Sequence, residues 1–588
     1  MTAGPLTKTR APGYDPTPCY PLADGTVEAG WEAAALTLPA GTRVLAVDGP
    51  AVLDWAAVAG RLHDVLSALR PRVEIVDVRA AARDWETVCR LTESEELRDD
   101  PDFARLAGGA LADLMDPDAL AAAAAAAAGA AGAAGDAGDG LRVLIGPGAA
   151  LAGPDVLWWA DLPKRYAEAS VAHGTGRNLA APPGRQPTLR RLFYIDWPLL
   201  DRHRDAMAER IDRWLDVTDP AAPTSVDGAA LRATCRMLAG RPFRTRPTFN
   251  STPWGGHWGQ EVLGHNPEAP NTALGYELIA PESGVLLGDG PGRSVEVPFQ
   301  LVVALAPREL LGPVVHEMFG TSFPVRFDYL DTVGGGNLSV HCHPQPDEMR
   351  TVFGWPYTQH ESYYLMRAGT GSKVFLGLRE GIGIDDFRRQ AHAADGHGTP
   401  FDIENYVQAF PAEAGQLYLV PAGTPHGSGE GNVVLEVSAT PYLYSLRFYD
   451  WLRRDAAGRQ RAVHVEHAFR NLDPARSGDA VARDLVQHPR ALGGGDGWRE
   501  ELIGALPEMF FQVRRIAVEP DALAEQHTDG RFHVLTLVDG QEALITTAGG
   551  DTHVLHYAET LAVPAAVTAY RVHNQGPEPL RLVKAQVA

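Results

Sequence analysis

The chain has 588 residues, 45% hydrophobic and 21% charged, with 61 Gly and 45 Pro. That length is too great for one core and predicts two to four domains, while the many Gly and Pro favour short strands and turns over a helical bundle. A net charge of −22 argues against nucleic acid as a partner, because duplex binding needs a basic face, yet it leaves room for a small anion in a locally positive pocket.

The segment MTAGPLTKTRAPG has no apolar core of the kind a signal peptide needs, and the alanine tract Ala121 to Ala128 is too short and too weakly apolar to span a bilayer. A cytoplasmic protein with no membrane partner is the expectation. Cys19, Cys89, Cys235 and Cys342 form no CxxC pair, so neither a disulfide framework nor a zinc ribbon is indicated. In chain order, RVLAVD (from Arg43) predicts a strand, Asp54 to Leu69 a helix and VEIVDV (from Val73) a second strand, at the spacing of a βαβ unit. An α/β domain over 1–225 follows, interrupted at 118–140 by a stretch of nearly pure Ala, Gly and Asp that reads as a surface insertion with partial helix. LRVLIG and VLWWADL predict further strands. RRLFYIDWPLLDRHRDAMAERIDRWLD predicts a strand at Leu192 running into an amphipathic helix that ends near Trp214.

Two of these stretches, VLAVDGP and RRLFYIDWPLLDRHRD, resemble the uridine-kinase branch of the P-loop kinases. The resemblance stops at the phosphate site. Where GxxxxGK[ST] should follow the first strand the chain reads DGPAVLDW, without the glycine-rich nest, the lysine or the magnesium-binding hydroxyl. A degenerate scaffold or docking domain is implied, not an active kinase.

From Pro247 onward short strands alternate with Gly/Pro turns, which predicts barrels or sandwiches. Strand candidates are VEVPFQLVVALAP, LSVHCH, SYYLMRA, KVFLGL, LYLVPAG and NVVLEVS, with a helix-like insertion at 385–410; FHVLTLVDGQEALITT, THVLHYAETLAVPA, YRVHNQG and LRLVKA repeat the texture near the end. The reading is one all-β domain over 247–455 and a second over 500–588.

GGNLSVHCHP puts His341 and His343 two positions apart on a predicted strand, so both rings share a face. Gly335, five residues, His341, one residue, His343 matches the first cupin motif, G(x)5HxH; Gly415, five residues, Pro421, one residue, Gly423, two residues, His426 matches the second, G(x)5PxG(x)2H. The two halves in this order predict a three-histidine metal site in a cupin barrel. A carboxylate completes such a centre, and two compete: Glu348, at the general cupin position, and Glu361, 18 residues after His343. Three histidines and a carboxylate suit Zn²⁺ but also Fe²⁺, Mn²⁺, Co²⁺ and Ni²⁺. His257, His360, His392 and His397 follow no ligand spacing and read as surface or packing histidines.

The block LSVHCHPQPDEMRTVFGWPYTQHESYYLMRAGTGSKVFLGL resembles that of the class I mannose-6-phosphate isomerases, in which LSxQxHP precedes a strand carrying the ligand Glu. The resemblance selects Glu361, implies one zinc ion, and implies aldose–ketose isomerisation of a sugar phosphate through a cis-enediol. NVVLEVSATPYLYSLRFYDW resembles the final strands of that family's barrel and implies active-site roles for Glu436, as base, and Arg447, as a charge-stabilising guanidinium. PWGGHW offers Trp254 for stacking on a sugar face or for closing the barrel. One departure stands out: the family's Lys two residues before the ligand Glu is Gln359 here, so Arg350, Lys373 or Arg379 would have to supply the cation. In the terminal barrel Pro564 aligns with Pro421 and Ala569 falls where His426 stands, which predicts a metal-free structural cupin. A non-catalytic sugar-phosphate sensor and a cupin dioxygenase are the rival readings.

Overall fold

The computed structural model describes residue 11 and residues 13–129, 140–455 and 457–588. Five parallel strands build the N-terminal sheet, in the spatial order Arg72–Asp77, Gly140–Ile145, Val44–Asp48, Val156–Asp161, Arg213–Asp216, and Thr224–Asp227 and Glu28–Ala29 extend it antiparallel. Val156–Asp161 is buried along its whole length, as a strand covered on both faces must be. The helix Trp55–Ser67 starts where expected, with the Asp54 side chain accepting from the Ala57 N–H at 3.0 Å.

The segment after Thr188 departs from the sequence reading. No strand forms at Leu192. Instead Leu189–Arg191, a π-turn at Leu192–Asp196 and Trp197–Met207 follow one another as continuous helix, and Trp214 lies on the strand Arg213–Asp216. Thr188 caps the start through the Arg191 N–H, and the buried Leu192, Ile195, Leu199 and Leu200 recur at helical spacing; that period outweighs the strand preference of the FYI run. The predicted alanine-rich insertion begins as the helix Pro117–Gly129; its remainder, 130–139, lies outside the described residues, as do residues 1–10.

The central region is made of two antiparallel sheets. One runs Leu417–Val420, Glu361–Arg367, Val433–Ala439, Val325–Asp331, Leu274–Leu278, Thr248–Asn250; the other runs Val407–Pro411, Lys373–Leu378, His426–Ser428, Val340–Cys342, Leu446–Tyr449. Two further expectations are corrected here. VEVPFQLVVALAP is a strand only over Ser294–Pro298 and then the helix Phe299–Leu305, because Pro298 ends the pairing and Phe299, Leu301, Val302 and Val303 are all fully buried by helix packing. The insertion at 385–410 is helical over Ile384–His397, but Val407–Pro411 is an edge strand. The C-terminal region forms a second pair of sheets, of six and four strands, over 490–587.

The parts share cores. Cys19–Tyr20 pairs in parallel with Gly284–Gly288. Phe103, Leu106, Tyr194 and Leu199 from the α/β region pack in one cluster with Val340, Phe353, Tyr444 and Leu446 of the barrel, and the Tyr194 hydroxyl donates to Leu443 O at 2.9 Å. Among the described residues no helix is long and apolar enough to cross a membrane.

Candidate metal centre

Strand register brings the centre together. His341, on Val340–Cys342, lies directly opposite His426 on the neighbouring strand and opposite Arg447 on the other side. Glu361 comes from the facing sheet, and its ligand atoms with those of His341, His343 and His426 all lie within 4.8 Å of one another. All four side chains are buried, the most exposed being His341 at 6%. The motif glycines make this possible: Gly423 holds a φ of 80°, and a Cβ there would meet Asn471 O at 2.7 Å.

Each histidine Nδ1 faces a backbone carbonyl: His341 that of Ser339 at 2.9 Å, His343 that of Tyr444 at 3.1 Å, His426 that of Thr424 at 2.9 Å. A carbonyl only accepts, so each Nδ1 carries the proton and each Nε2 presents a lone pair to the interior. Burial, with His426 and His343 alongside, pushes the His341 imidazole well below its usual value, so the ring is neutral, the ligating form. The result is acceptor facing acceptor: His343 Nε2 stands 2.8 Å from Glu361 Oε1, and His426 Nε2 stands 3.0 Å from Oε2. His343 Nε2, His426 Nε2 and Glu361 Oε2 have no hydrogen-bond partner among the described residues. Lone pairs converging at such distances need a cation between them, and the set fits a divalent metal ion.

Beside the centre lies a charged row. Ser438 pairs with both Glu361 and Arg326, and Glu436 pairs with both Tyr363 and Asp328, so alternate residues of three strands point into one interior. Arg326 donates to Glu436 and, at 2.6 Å, to Ser438 Oγ, and stands 3.3 Å from Asp328. Its guanidinium also lies 4.6 Å over the Tyr442 ring. Burial, reinforced by Asp328 and Glu361 against the pull of Arg326, pushes the Glu436 carboxyl well above the usual range. Arg326→Met would leave two buried carboxylates without a counter-charge, and a loss of about 3–5 kcal/mol in unfolding free energy is expected. Thermal denaturation of the metal-loaded variant checks it, and an unchanged midpoint would show that the pair contributes nothing.

The other predicted positions fall as follows. Glu436 is in the row just described. Arg447 lies on the other sheet, opposite His341, with Nη1 donating to Ala462 O at 3.0 Å. Glu348 turns away from the centre to Arg470, at 3.2 Å. Gln359 Nε2 donates to Glu361 Oε1 at 2.5 Å, so the amide replaces a cation at the ligand carboxylate itself. The surrogate cations of the sequence reading are not there: Arg350 pairs with Asp347, Lys373 with Glu404, and Arg379 with the Glu404 carbonyl, all toward solvent. Arg326 is the buried cation, and no local motif announces it. Trp254 is buried in the core, 3% exposed. His360 is buried and accepts from the Ala422 N–H at 3.1 Å, and burial lowers it to about 4; His392 pairs with Glu466 at the surface.

Residues 30–240 match a family described as a domain of unknown function (DUF8485). Over 324 residues the chain is 27% identical to the mannose-6-phosphate isomerase of Streptococcus mutans serotype c (strain ATCC 700610 / UA159), covering 54% of this chain and 90% of that protein. Over 160 residues it is 24% identical to the mannose-6-phosphate isomerase ManA of Bacillus subtilis (strain 168), covering 27% of this chain and 46% of that protein. A solved mannose 6-phosphate isomerase from Bacillus subtilis superposes with a TM-score of 0.47 at 18% identity, over 59% of this chain and 99% of its own.

Proposed function

We propose that the chain is a metal-dependent aldose–ketose isomerase acting on a sugar phosphate, interconverting mannose-6-phosphate and fructose-6-phosphate through a cis-enediol. The observation that carries this reading is the barrel interior in which His341, His343, Glu361 and His426 converge beside Glu436. The likeness to curated mannose-6-phosphate isomerases supports the choice of reaction and substrate, and zinc is proposed on that likeness from among the divalent ions the donor set suits. When bound, the ion supplies a Lewis acid for a sugar oxygen.

The chain's own residues account for the rest. Glu436, carrying a proton more readily than an ordinary carboxylate, is the group proposed to move the proton between C2 and C1. Arg326 and Ser438 both donate to its Oε1, so its orientation is fixed before substrate arrives. Arg447 is proposed to stabilise the negative charge that develops on the enediol oxygens. Tyr363, whose buried hydroxyl has no hydrogen-bond partner among the described residues, faces the same space and offers a hydrogen bond to a sugar hydroxyl. A coupled assay for fructose-6-phosphate formation by the metal-loaded protein tests the proposal. Turnover at a few per second or more, within the usual range for enzymes, supports it; a protein that holds its metal and yields no fructose-6-phosphate would be a sensor instead.

The parallel strand order of the α/β region, with the first strand between the third and fourth, supports its likeness to a nucleoside-kinase sheet. At the end of its first strand, where a nucleoside kinase would carry its phosphate loop, a carboxylate is bound from within. The Asp48 carboxylate accepts from the N–H groups of Gly49, Gly148 and Ala150 at 2.7, 3.0 and 2.9 Å, and His203 Nε2 lies 2.8 Å away. A fixed carboxylate repels a nucleotide phosphate. The full-length protein is therefore expected to show no magnesium-dependent ATP binding by calorimetry and no phosphorylation of uridine or other nucleosides; ATP-dependent nucleoside phosphorylation would overturn this.

A further inference from the structure

A cavity of about 320 Å³ opens between the α/β region and the barrel. From the barrel side it is lined by Tyr442, Ser445 and Arg447, and from the α/β side by Glu168, Arg190 and Tyr194. Two of these groups are guanidiniums, and neither forms an ion pair with a carboxylate among the described residues. That is unusual in a chain with 74 acidic and 52 basic residues, because a half-buried arginine normally finds a carboxylate.

Both guanidiniums are nevertheless held in place. Arg190 donates through Nε to Phe103 O at 2.7 Å and through Nη2 to Leu97 O at 2.5 Å, and Arg447 donates through Nη1 to Ala462 O. Carbonyl acceptors fix the planes without neutralising the charge, leaving Nη1 of Arg190 and Nε and Nη2 of Arg447 without a partner among the described residues. The two acids of the same cavity differ. Asp102 stands 3.5 Å from His464 Nε2, whose Nδ1 accepts from the Arg447 N–H. Glu168 is an acceptor with no donor of its own among the described residues; burial alone pushes its carboxyl up. Arg190 thus lacks an ion-paired anion, and Glu168 on the same side lacks hydrogen-bond donors. A polyhydroxylated anion supplies both.

Resting on the isomerase reading, we infer that the α/β domain completes the substrate pocket, with Arg190 binding the phosphate of the sugar phosphate and Glu168 accepting from its hydroxyls. Arg447, directly across the strands from His341, stands at the reacting end, and Arg190 stands on the far wall. A planar guanidinium already fixed by two carbonyls binds phosphate with little further ordering. The domain is on this account a working wall of the site, which explains why it shares a core with the barrel.

The test uses the full-length, metal-loaded protein and the variants Arg190→Gln and Arg190→Lys. For Arg190→Gln, KM for mannose-6-phosphate and the inhibition constant of inorganic phosphate should both rise about tenfold or more, with kcat and the thermal midpoint nearly unchanged. The lysine variant should recover part of both losses. Unchanged KM and phosphate inhibition would overturn the assignment. So would a joint fall of kcat, affinity and midpoint, which would mark Arg190 as a strut for the 97–103 segment. If the wild-type protein proves not to isomerise the sugar, calorimetric titration with inorganic phosphate still decides the point: phosphate binding that Arg190→Gln abolishes upholds the subsite, and no binding by the wild type removes it.

Discussion

His426→Ala is expected to purify without its divalent ion and to lose isomerase activity with it. His426 is fully buried, its Nδ1 proton is committed to Thr424 O, and its Nε2 points at Glu361. Removing an outer-shell partner of a ligating histidine typically costs about 10–100-fold in metal affinity, and deleting the ligand itself costs more. His343→Ala should behave alike. Glu348→Gln should keep the metal, since Glu348 bonds to Arg470 outside the centre. Elemental analysis of the three proteins beside the wild type, at about one ion per wild-type chain, reads the outcome without recourse to activity. Full metal retention by both histidine variants would refute the centre.

The reason these ligands were legible is that cupin spacing is local: a strand of period two and a PxG turn place three rings on one face, and a linear motif encodes both. Glu361 was less legible. Two carboxylates satisfied the residue pattern, and only the family resemblance separated them; in the structure the register of Glu361 opposite Ser438 turns it inward, whereas Glu348 sits in a short helical turn facing Arg470. Arg326 was not legible at all. Its inward orientation depends on pairing between strands more than 100 residues apart, Val325–Asp331 with Val433–Ala439, and nothing adjacent to it in sequence records that register. The same limit explains the misreading at Leu192: FYI favours a strand locally, and only the packing of Ile195, Leu199 and Leu200 into a core shared with the barrel makes it helix. The α/β region shows the same limit: nothing near VLAVDGP records that the Asp48 carboxylate accepts from the N–H groups of Gly148 and Ala150, 100 residues and more downstream.

Arg447→Ala is expected to lower turnover by about 10²–10³, the usual cost of one donor to a developing oxyanion, while leaving the metal and the thermal midpoint in place. Arg447 forms no ion pair with the neighbouring Asp450 carboxylate, which is taken by Arg453 at 2.7 Å and Arg461 at 2.6 Å. Arg447 is instead a guanidinium with one carbonyl partner, held below its usual value by burial and by Arg461. A buried cation in that state contributes little to folding, so its removal should not destabilise the protein. It does pre-organise positive charge one strand away from His341. Substrate in its ground state offers only neutral oxygens at that end; the enediolate offers negative charge. The interaction therefore strengthens as the reaction proceeds, and its loss falls on kcat more than on KM. Arg447→Lys should recover little, because an ammonium cannot keep the Ala462 carbonyl and present a second N–H edge together. The contrast with Arg190, whose loss should fall on KM, makes the pair of variants decisive. If the metal-loaded Arg447→Ala protein turns over like the wild type, the charge-stabilising role is wrong. A rise in KM at constant kcat would instead move Arg447 into the phosphate subsite beside Arg190.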